Sequence, residues 1–165
     1  MRVRGKLAAA AALVVAGADW VIHYRSPRWI LIALFDHPAH LATNALMALN
    51  LRGRSARWNA GFMAGSLLPD VDHIPLALGE HPTPGTRRPP THCLAAVAPL
   101  FVLARATGSE AVDGAAWGTL AHFARDVSVY PGAPLLRPLH DEDLLVPYAV
   151  YALALAGLAG MAMTR

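Results

Sequence analysis

Cysteine is almost absent from this sequence, since Cys93 is the only one among 165 residues. A single cysteine excludes an intrachain disulfide and any cysteine-rich zinc module. Charge is scarce as well, because charged residues make up 15% of the chain, against about 25% in soluble domains. The sequence contains no long basic run interleaved with aromatic residues, so it gives little support to a nucleic-acid-binding surface.

Apolar residues, in contrast, are abundant. They make up 55% of the chain, the mean hydropathy is +0.37, and a composition dominated by alanine, leucine and valine suits apolar helices better than strands. A length of 165 residues is typical of one domain. We therefore predict an all-α membrane protein, with one domain over residues 1–165 folded in a lipid bilayer as a compact bundle of about five to six helices.

The N-terminal residues 1–24 allow two interpretations. A basic start is followed by the apolar run Leu7–Ala18, and the small residues 16–18 would suit a signal-peptide cleavage site. Alternatively, the segment continues as an uncleaved anchor helix with Trp20 and Tyr24 at the membrane interface. We favour the anchor, because no obvious soluble domain follows.

The C-terminal residues 144–163 carry no charge. About 20 predominantly apolar residues suffice to cross a bilayer, so we predict a transmembrane helix there. Residues 29–138 are expected to form the core that holds the functional site, with loops at 80–90 and 130–138, where prolines and glycines gather. The apolar stretches predicted as helices in this core are Trp29–Leu51, Trp58–Leu68, Thr91–Ala106 and Ala115–Val129.

The strongest local signal for chemistry is Asp70-Val71-Asp72-His73, directly after Pro69. Two carboxylates and an imidazole on one turn suit a transition metal such as zinc, manganese or iron. A helix end followed by a polar turn is the alternative, because aspartate is common in turns.

The second signal is the pair His122 and Asp126, which share one face of a predicted helix. The two side chains could bind one ion, or Asp126 could orient a metal-ligating His122. A hydrogen-bonded pair on the helix surface is the simpler alternative. The neighbouring residues are apolar, among them Trp117 and Phe123, and an idle ionisable pair is costly in such surroundings.

Two further histidines lie where helices are predicted to start. His92 follows Thr91, which is a residue type that caps helices, and a lone histidine there is usually structural. Cys93 beside it is better interpreted as a small packed residue than as a ligand. His40 precedes an apolar stretch and belongs to a weak His-x-x-His pattern with His37.

Taken together, these residues favour a shared metal centre. All of them lie at the ends or inside of apolar helices, where ionisable groups without partners are strongly unfavourable. A common metal site would give each of them a partner. The predicted ligands are His40, Asp70, Asp72, His73, His92, His122 and Asp126.

In this order the motifs resemble a known family, the YdjM-like bacterial inner-membrane proteins. The motifs that carry the resemblance are Pro38–Thr43, Gly65–His73, Arg88-x-x-Thr91-His92, His122-x-x-x-Asp126, Pro131-Gly132 and Pro138. These proteins are described as membrane-bound metal-dependent hydrolases, and one branch is associated with LexA regulation. The resemblance implies a multi-pass protein of the bacterial inner membrane, with the ligands above at its site. A serine is more usual in the family where Cys93 stands.

The function predicted from this set is hydrolysis by a metal-activated water, since a bound metal lowers the pKa of water to about 7. Zinc is the leading metal, with manganese or iron as alternatives, and one or two ions are possible. One division assigns His92, His122 and Asp126 to one ion and His40, Asp70 and His73 to another.

Two residues are predicted to act on the reaction itself. Asp72 would bridge two ions or act as general base. Arg88 could pair with a phosphate or carboxylate of the substrate, which would favour a phosphoester or lipid-type substrate. Two other classes stay open: a non-enzymatic membrane protein with a structural metal or a polar packing network, and a metal or proton transporter.

Overall fold

The computed structural model describes residues 3–25, 29–73, 88–89, 91–129 and 131–164. These residues form six α-helices and a short 3-10 helix, and their β pairing is an isolated bridge between Ala133 and Leu144. The prediction of an all-α chain with about five to six helices is confirmed. The elements are α1 (Val3–Arg25), α2 (Trp29–Asn50), α3 (Ala56–Gly65), the 3-10 helix Pro69–His73, α4 (Leu94–Thr107), α5 (Glu110–Asp126) and α6 (Tyr148–Thr164).

The helices belong to two compact units, residues 1–54 with 149–165, and residues 55–148. The first unit contains α1, α2 and α6, which share a core of small and apolar side chains that includes Ala8, Val15, Leu46 and Leu155. Among its buried polar groups, the hydroxyls of Thr43 and Tyr151 lie 2.6 Å apart. The single domain expected from the length stays a prediction.

The second unit is built around a very close pairing of α3 and α5. A Cβ atom added at Gly61 or Gly65 would overlap the backbone of α5, and one added at Gly114 or Gly118 would overlap the backbone of α3. The glycines of each helix are four residues apart, which is the GxxxG spacing that lets helix backbones touch. Gly114 meets Trp58 and Gly118 meets Phe62, so the two helices run parallel.

The parallel pair is aligned by matching caps at its N-terminal end. Ser55 caps α3 by accepting from Trp58 N, and Ser109 caps α5 by accepting from Val112 N. The Ser55 hydroxyl also donates to Glu110 at 2.6 Å, and the Trp58 indole donates to Asp113 at 2.6 Å. These bonds fix the register, and therefore decide where the C-terminal ends of both helices lie.

The predicted start of the helix near Thr91 was wrong. The helix begins at Leu94, and Cys93 holds the cap position without a side-chain hydrogen bond. The Thr91 hydroxyl instead donates to Asp72, so Thr91 is used for tertiary contact rather than for capping. The loop predicted at 80–90 lies outside the described residues, apart from Arg88 and Pro89.

The C-terminal helix is shorter than the predicted 144–163. Leu144 pairs with Ala133, and Val146 N donates to Val127 O, so the helix starts only at Tyr148. Its 17 residues span about 26 Å at 1.5 Å per residue, which is the lower limit for crossing a bilayer. Among the described helices, α1 alone is both long and apolar enough to pass as a membrane span.

Candidate metal centre

The parallel helices α3 and α5 deliver their C-terminal ends to one cluster of histidines and aspartates. After α3, the chain turns through residues 66–68 into the 3-10 helix Pro69–His73, which carries Asp70, Asp72 and His73. On α5, His122 and Asp126 occupy the last turns of the helix. The clustering therefore follows directly from the glycine contact between the two helices.

His122 is fixed by the end of α3. Its side chain is fully buried, and its Nδ1 lies 2.7 Å from the carbonyl oxygen of Ser66. Because a carbonyl can only accept, Nδ1 carries the hydrogen. Nε2 is then the ring nitrogen that can offer a lone pair, and it lies 3.0 Å from Asp126 Oδ2. Histidine ligands of metals are commonly held in this way by a backbone carbonyl.

Asp70 stands at the centre of the cluster. Its Oδ1 has imidazole nitrogens on three sides: His73 Nδ1 at 3.5 Å, His92 Nε2 at 3.6 Å and His122 Nε2 at 3.7 Å. The donor atoms of Asp70, His92 and His122 all lie within 4.8 Å of one another, as do those of Asp72, His73 and His92. These separations exceed ordinary hydrogen bonds.

The donor separations are within a few tenths of an ångström of those around a shared cation. With donors about 2.1 Å from a metal, simple geometry places neighbouring donors about 3.0 Å apart in an octahedron and about 3.4 Å apart in a tetrahedron. The cluster has nitrogen–oxygen separations from 3.0 Å to 3.7 Å. The residues present therefore fit a divalent metal without a large rearrangement.

His92 connects the two groups of donors. Its side chain is fully buried, with Nε2 3.6 Å from Asp70 and 3.7 Å from Asp126 Oδ2, while Nδ1 lies 3.7 Å from Asp72 Oδ2. Thr91 holds this side of the cluster, since its hydroxyl donates to Asp72 and also lies 3.3 Å from the carbonyl of Pro69. The segment before α4 is thus tied to the 3-10 helix.

Arg88 is turned inward. It is largely buried, its Nη1 lies 2.9 Å from Asp126 Oδ1, and its Nε donates to the carbonyl of Gly132 at 2.6 Å. A guanidinium held by these two bonds orients Asp126, so that Oδ2 faces His122 and His92. These contacts give Arg88 a positioning role toward Asp126, and its predicted contact with substrate stays a prediction.

The carboxylates attract positive charge to the cluster. Burial lowers the pKa of His92, but the adjacent carboxylates of Asp70 and Asp72, together with Asp126, outweigh it and raise the pKa to about 9. Burial also opposes protonation of His122, yet Asp126, Asp70 and the Ser66 carbonyl raise its pKa above the ordinary value. The imidazole of His92 is therefore protonated at neutral pH, as expected in a site that favours a cation.

The remaining predicted ligand, His40, lies on α2 in the first unit. It is fully buried, and its Nε2 lies 3.5 Å from Asp36 Oδ2, one turn earlier in the same helix. The other six predicted ligands lie in the second unit. A shared role of His40 with them stays a prediction.

Comparison with known proteins identifies the family. The family model of the YdjM inner membrane protein matches residues 1–163. The chain belongs to this family. Membership of the YdjM inner membrane protein family confirms the resemblance drawn from the motifs and assigns the chain to the inner membrane. No curated protein and no solved structure matches the chain.

Sequence reasoning missed the groups that hold the donors in place. The glycines at 61, 65, 114 and 118 form two GxxxG motifs that are visible in the sequence, and they could have predicted a close helix pair. The carbonyl of Ser66 carries no sequence signal, because any residue supplies a carbonyl. The bond from Thr91 to Asp72 depends on tertiary contact alone.

Proposed function

We propose that this protein is a multi-pass, membrane-bound metal-dependent hydrolase. The observation that carries the proposal is the convergence of three imidazoles on the single carboxylate oxygen of Asp70, at separations of 3.5–3.7 Å. The proposed ligands among the described residues of the second unit are Asp70, Asp72, His73, His92, His122 and Asp126.

The charge of the cluster supports one divalent ion. Three carboxylates face one guanidinium, which leaves two negative charges (three minus one) when the imidazoles are neutral. One divalent cation balances this charge, whereas two would leave an excess. The donors are nitrogen and oxygen atoms without thiolate, a set suited to zinc, manganese or iron.

A divalent metal bound here would lower the pKa of a water to about 7 and polarise the bond to be cleaved. His122 would present its Nε2, because its Nδ1–H is committed to Ser66 O. Arg88 would keep Asp126 oriented.

Asp72 is the proposed general base. Its side chain is 19% exposed, while that of Asp126 is 1% exposed, so Asp72 lies on the side of the cluster that a substrate can reach. Thr91 donates to its Oδ2, and its Oδ1 lies 3.4 Å from His73 Nδ1.

The experiment is metal analysis of the detergent-purified protein, followed by assays on carboxylic ester and phosphoester panels. We expect about one metal per chain and a turnover that chelation abolishes and metal restores. His122→Ala should lose metal, whereas His140→Ala should not, because His140 is exposed and pairs with Glu142 outside the cluster.

The outcomes distinguish a hydrolase from a protein with a structural metal and from a transporter. Bound metal without turnover on any substrate would favour a structural metal, and metal uptake by proteoliposomes would favour a transporter. Absence of metal binding at neutral pH, in a protein that keeps its helical circular dichroism, would overturn the proposal.

A further inference from the structure

Helix α4 is apolar on two faces, and among the residues that the structure describes only one of these faces is packed. Val97 and Phe101 face α5, where they join a core with Ala116 and Phe123. On the outward side, residues 95, 99, 102 and 106 are all exposed. Val102 is 68% exposed. A helix that is apolar on all sides is normally surrounded by protein core or by lipid.

The exposed apolar surface continues beside this row. Leu94 and Leu103 on α4 are exposed, and so is Trp117 on α5, whose ring packs edge-on against Phe101 at 5.4 Å. Tryptophan is enriched at membrane interfaces, where its ring meets both lipid and water. We call these exposed residues of α4, together with Trp117, the α4 face.

The properties of this chain favour lipid as the partner that covers the α4 face. The protein belongs to an inner-membrane family, and α1 is long and apolar enough to cross the bilayer. The α4 face contains no charged side chain before Arg105, so it offers nothing with which to select a charged protein partner. A bilayer requires only apolar area.

The ends of α4 determine how it can lie. Its 14 residues span about 21 Å, less than the roughly 30 Å of a hydrocarbon core. One end carries Arg105 and is followed by Glu110 of α5, and the other follows His92. Upright insertion would drive one of these charged ends into hydrocarbon, which is costly. A helix that lies along the interface keeps both of its ends in contact with water.

We propose that the α4 face lies in the plane of the bilayer interface and holds the donor cluster at the lipid surface. His92 is two residues from the start of α4, and Thr91 ties that start to the 3-10 helix. Val71, between two donor aspartates, is 57% exposed, and the proposal places it at the same interface. This placement does not depend on whether the site is hydrolytic.

The test is site-directed spin labelling of the full chain in vesicles. Single variants Ala95→Cys, Val102→Cys and Ala106→Cys place nitroxides along one face of α4, and Val71→Cys reports on the cluster. Glu142→Cys is the aqueous control, since that side chain is 85% exposed. The native Cys93 is buried, so the unmodified chain gives the labelling background.

Collision rates with oxygen and with a water-soluble chromium oxalate complex then give the depth of each label. We expect oxygen to dominate at 95, 102 and 106, with similar depths, and at 71 with a shallower depth, whereas chromium should dominate at 142. An upright helix would instead give depths that differ by about 16 Å between 95 and 106, at 1.5 Å per residue.

Three results would overturn the proposal. Chromium access at 102 equal to that at 142 would mean that the face is in water. Low collision rates with both reagents would mean that protein covers it. Membrane depth on α4 with an aqueous label at 71 would refute the placement of the cluster. Unchanged helical circular dichroism and metal binding in each variant would show that the fold is intact.

Discussion

The contact between α3 and α5 makes a prediction that links packing to metal binding. A Cβ atom at Gly118 would overlap the carbonyl of Phe62. That neighbour is backbone and cannot rotate away, so Gly118→Ala must push the helices apart. Overpacking costs about 1–3 kcal/mol and sometimes more, and the higher helix propensity of alanine returns up to about 1 kcal/mol. We expect a net loss of about 2 kcal/mol.

The loss should be visible in two measurements. For a chain of this size, about 2 kcal/mol corresponds to a fall in Tm of roughly 4–8 °C, measured by circular dichroism in detergent. Separation of the helices should also lengthen the 2.7 Å contact from His122 Nδ1 to Ser66 O. Losing such support typically weakens metal binding about 10- to 100-fold, which a zinc or cobalt titration would detect.

Gly157→Ala is the matched control. An added Cβ there would meet nothing within 4 Å, so the same substitution in α6 should leave metal affinity unchanged and stability equal or slightly higher. If Gly118→Ala and Gly157→Ala behave alike in both assays, the close parallel pair does not position the site and the reasoning fails.

Three further predictions follow from the site and the first unit. Because the pKa of His92 is raised to about 9, metal binding at pH 7 should release a proton, and the affinity for metal should increase from pH 7 to 9. Calorimetry in buffers of different ionisation heat measures the number of protons released. A pH-independent affinity with no proton release would contradict the prediction. Asp72→Asn should keep the fold and lower any metal-dependent hydrolysis by roughly 10²-fold or more. Asp141→Asn, in an exposed loop, should leave the hydrolysis rate unchanged. Full activity in Asp72→Asn would exclude Asp72 as the general base. Since Ala8 and Val15 belong to the core of the first unit, the N-terminal segment should be retained as an anchor. Mass spectrometry of the purified protein tests this prediction. A mature chain that starts at Asp19 would refute it.

The helices could be predicted from sequence because their signals are local. The apolar stretch Trp29–Leu51 became α2 with nearly the same bounds, Trp29–Asn50. The grouping of the donors in the second unit was also accessible, because buried carboxylates and imidazoles need partners. Both inferences depend on residue type and on spacing along the chain.

What could not be predicted depends on contacts between distant segments. The guanidinium of Arg88 is held by Asp126 and by the carbonyl of Gly132, 44 residues away, and nothing in the sequence marks either contact. The C-terminal helix was placed four residues too early, because nothing in the sequence marks the pairing of Leu144 with Ala133. In each case the local pattern permitted two structures, and a tertiary hydrogen bond selected one.

The parallel arrangement of α3 and α5 has an electrostatic consequence for the site. Each helix carries partial negative charge at its C-terminal end, and parallel neighbours place these ends side by side, which is unfavourable in isolation. Here both ends meet the cluster, through Ser66 O after α3 and Asp126 on α5. The helix dipoles therefore add to the potential of the three carboxylates, and a bound cation relieves both. The glycine motifs impose a close parallel pairing, and that pairing favours a cation where the donors converge.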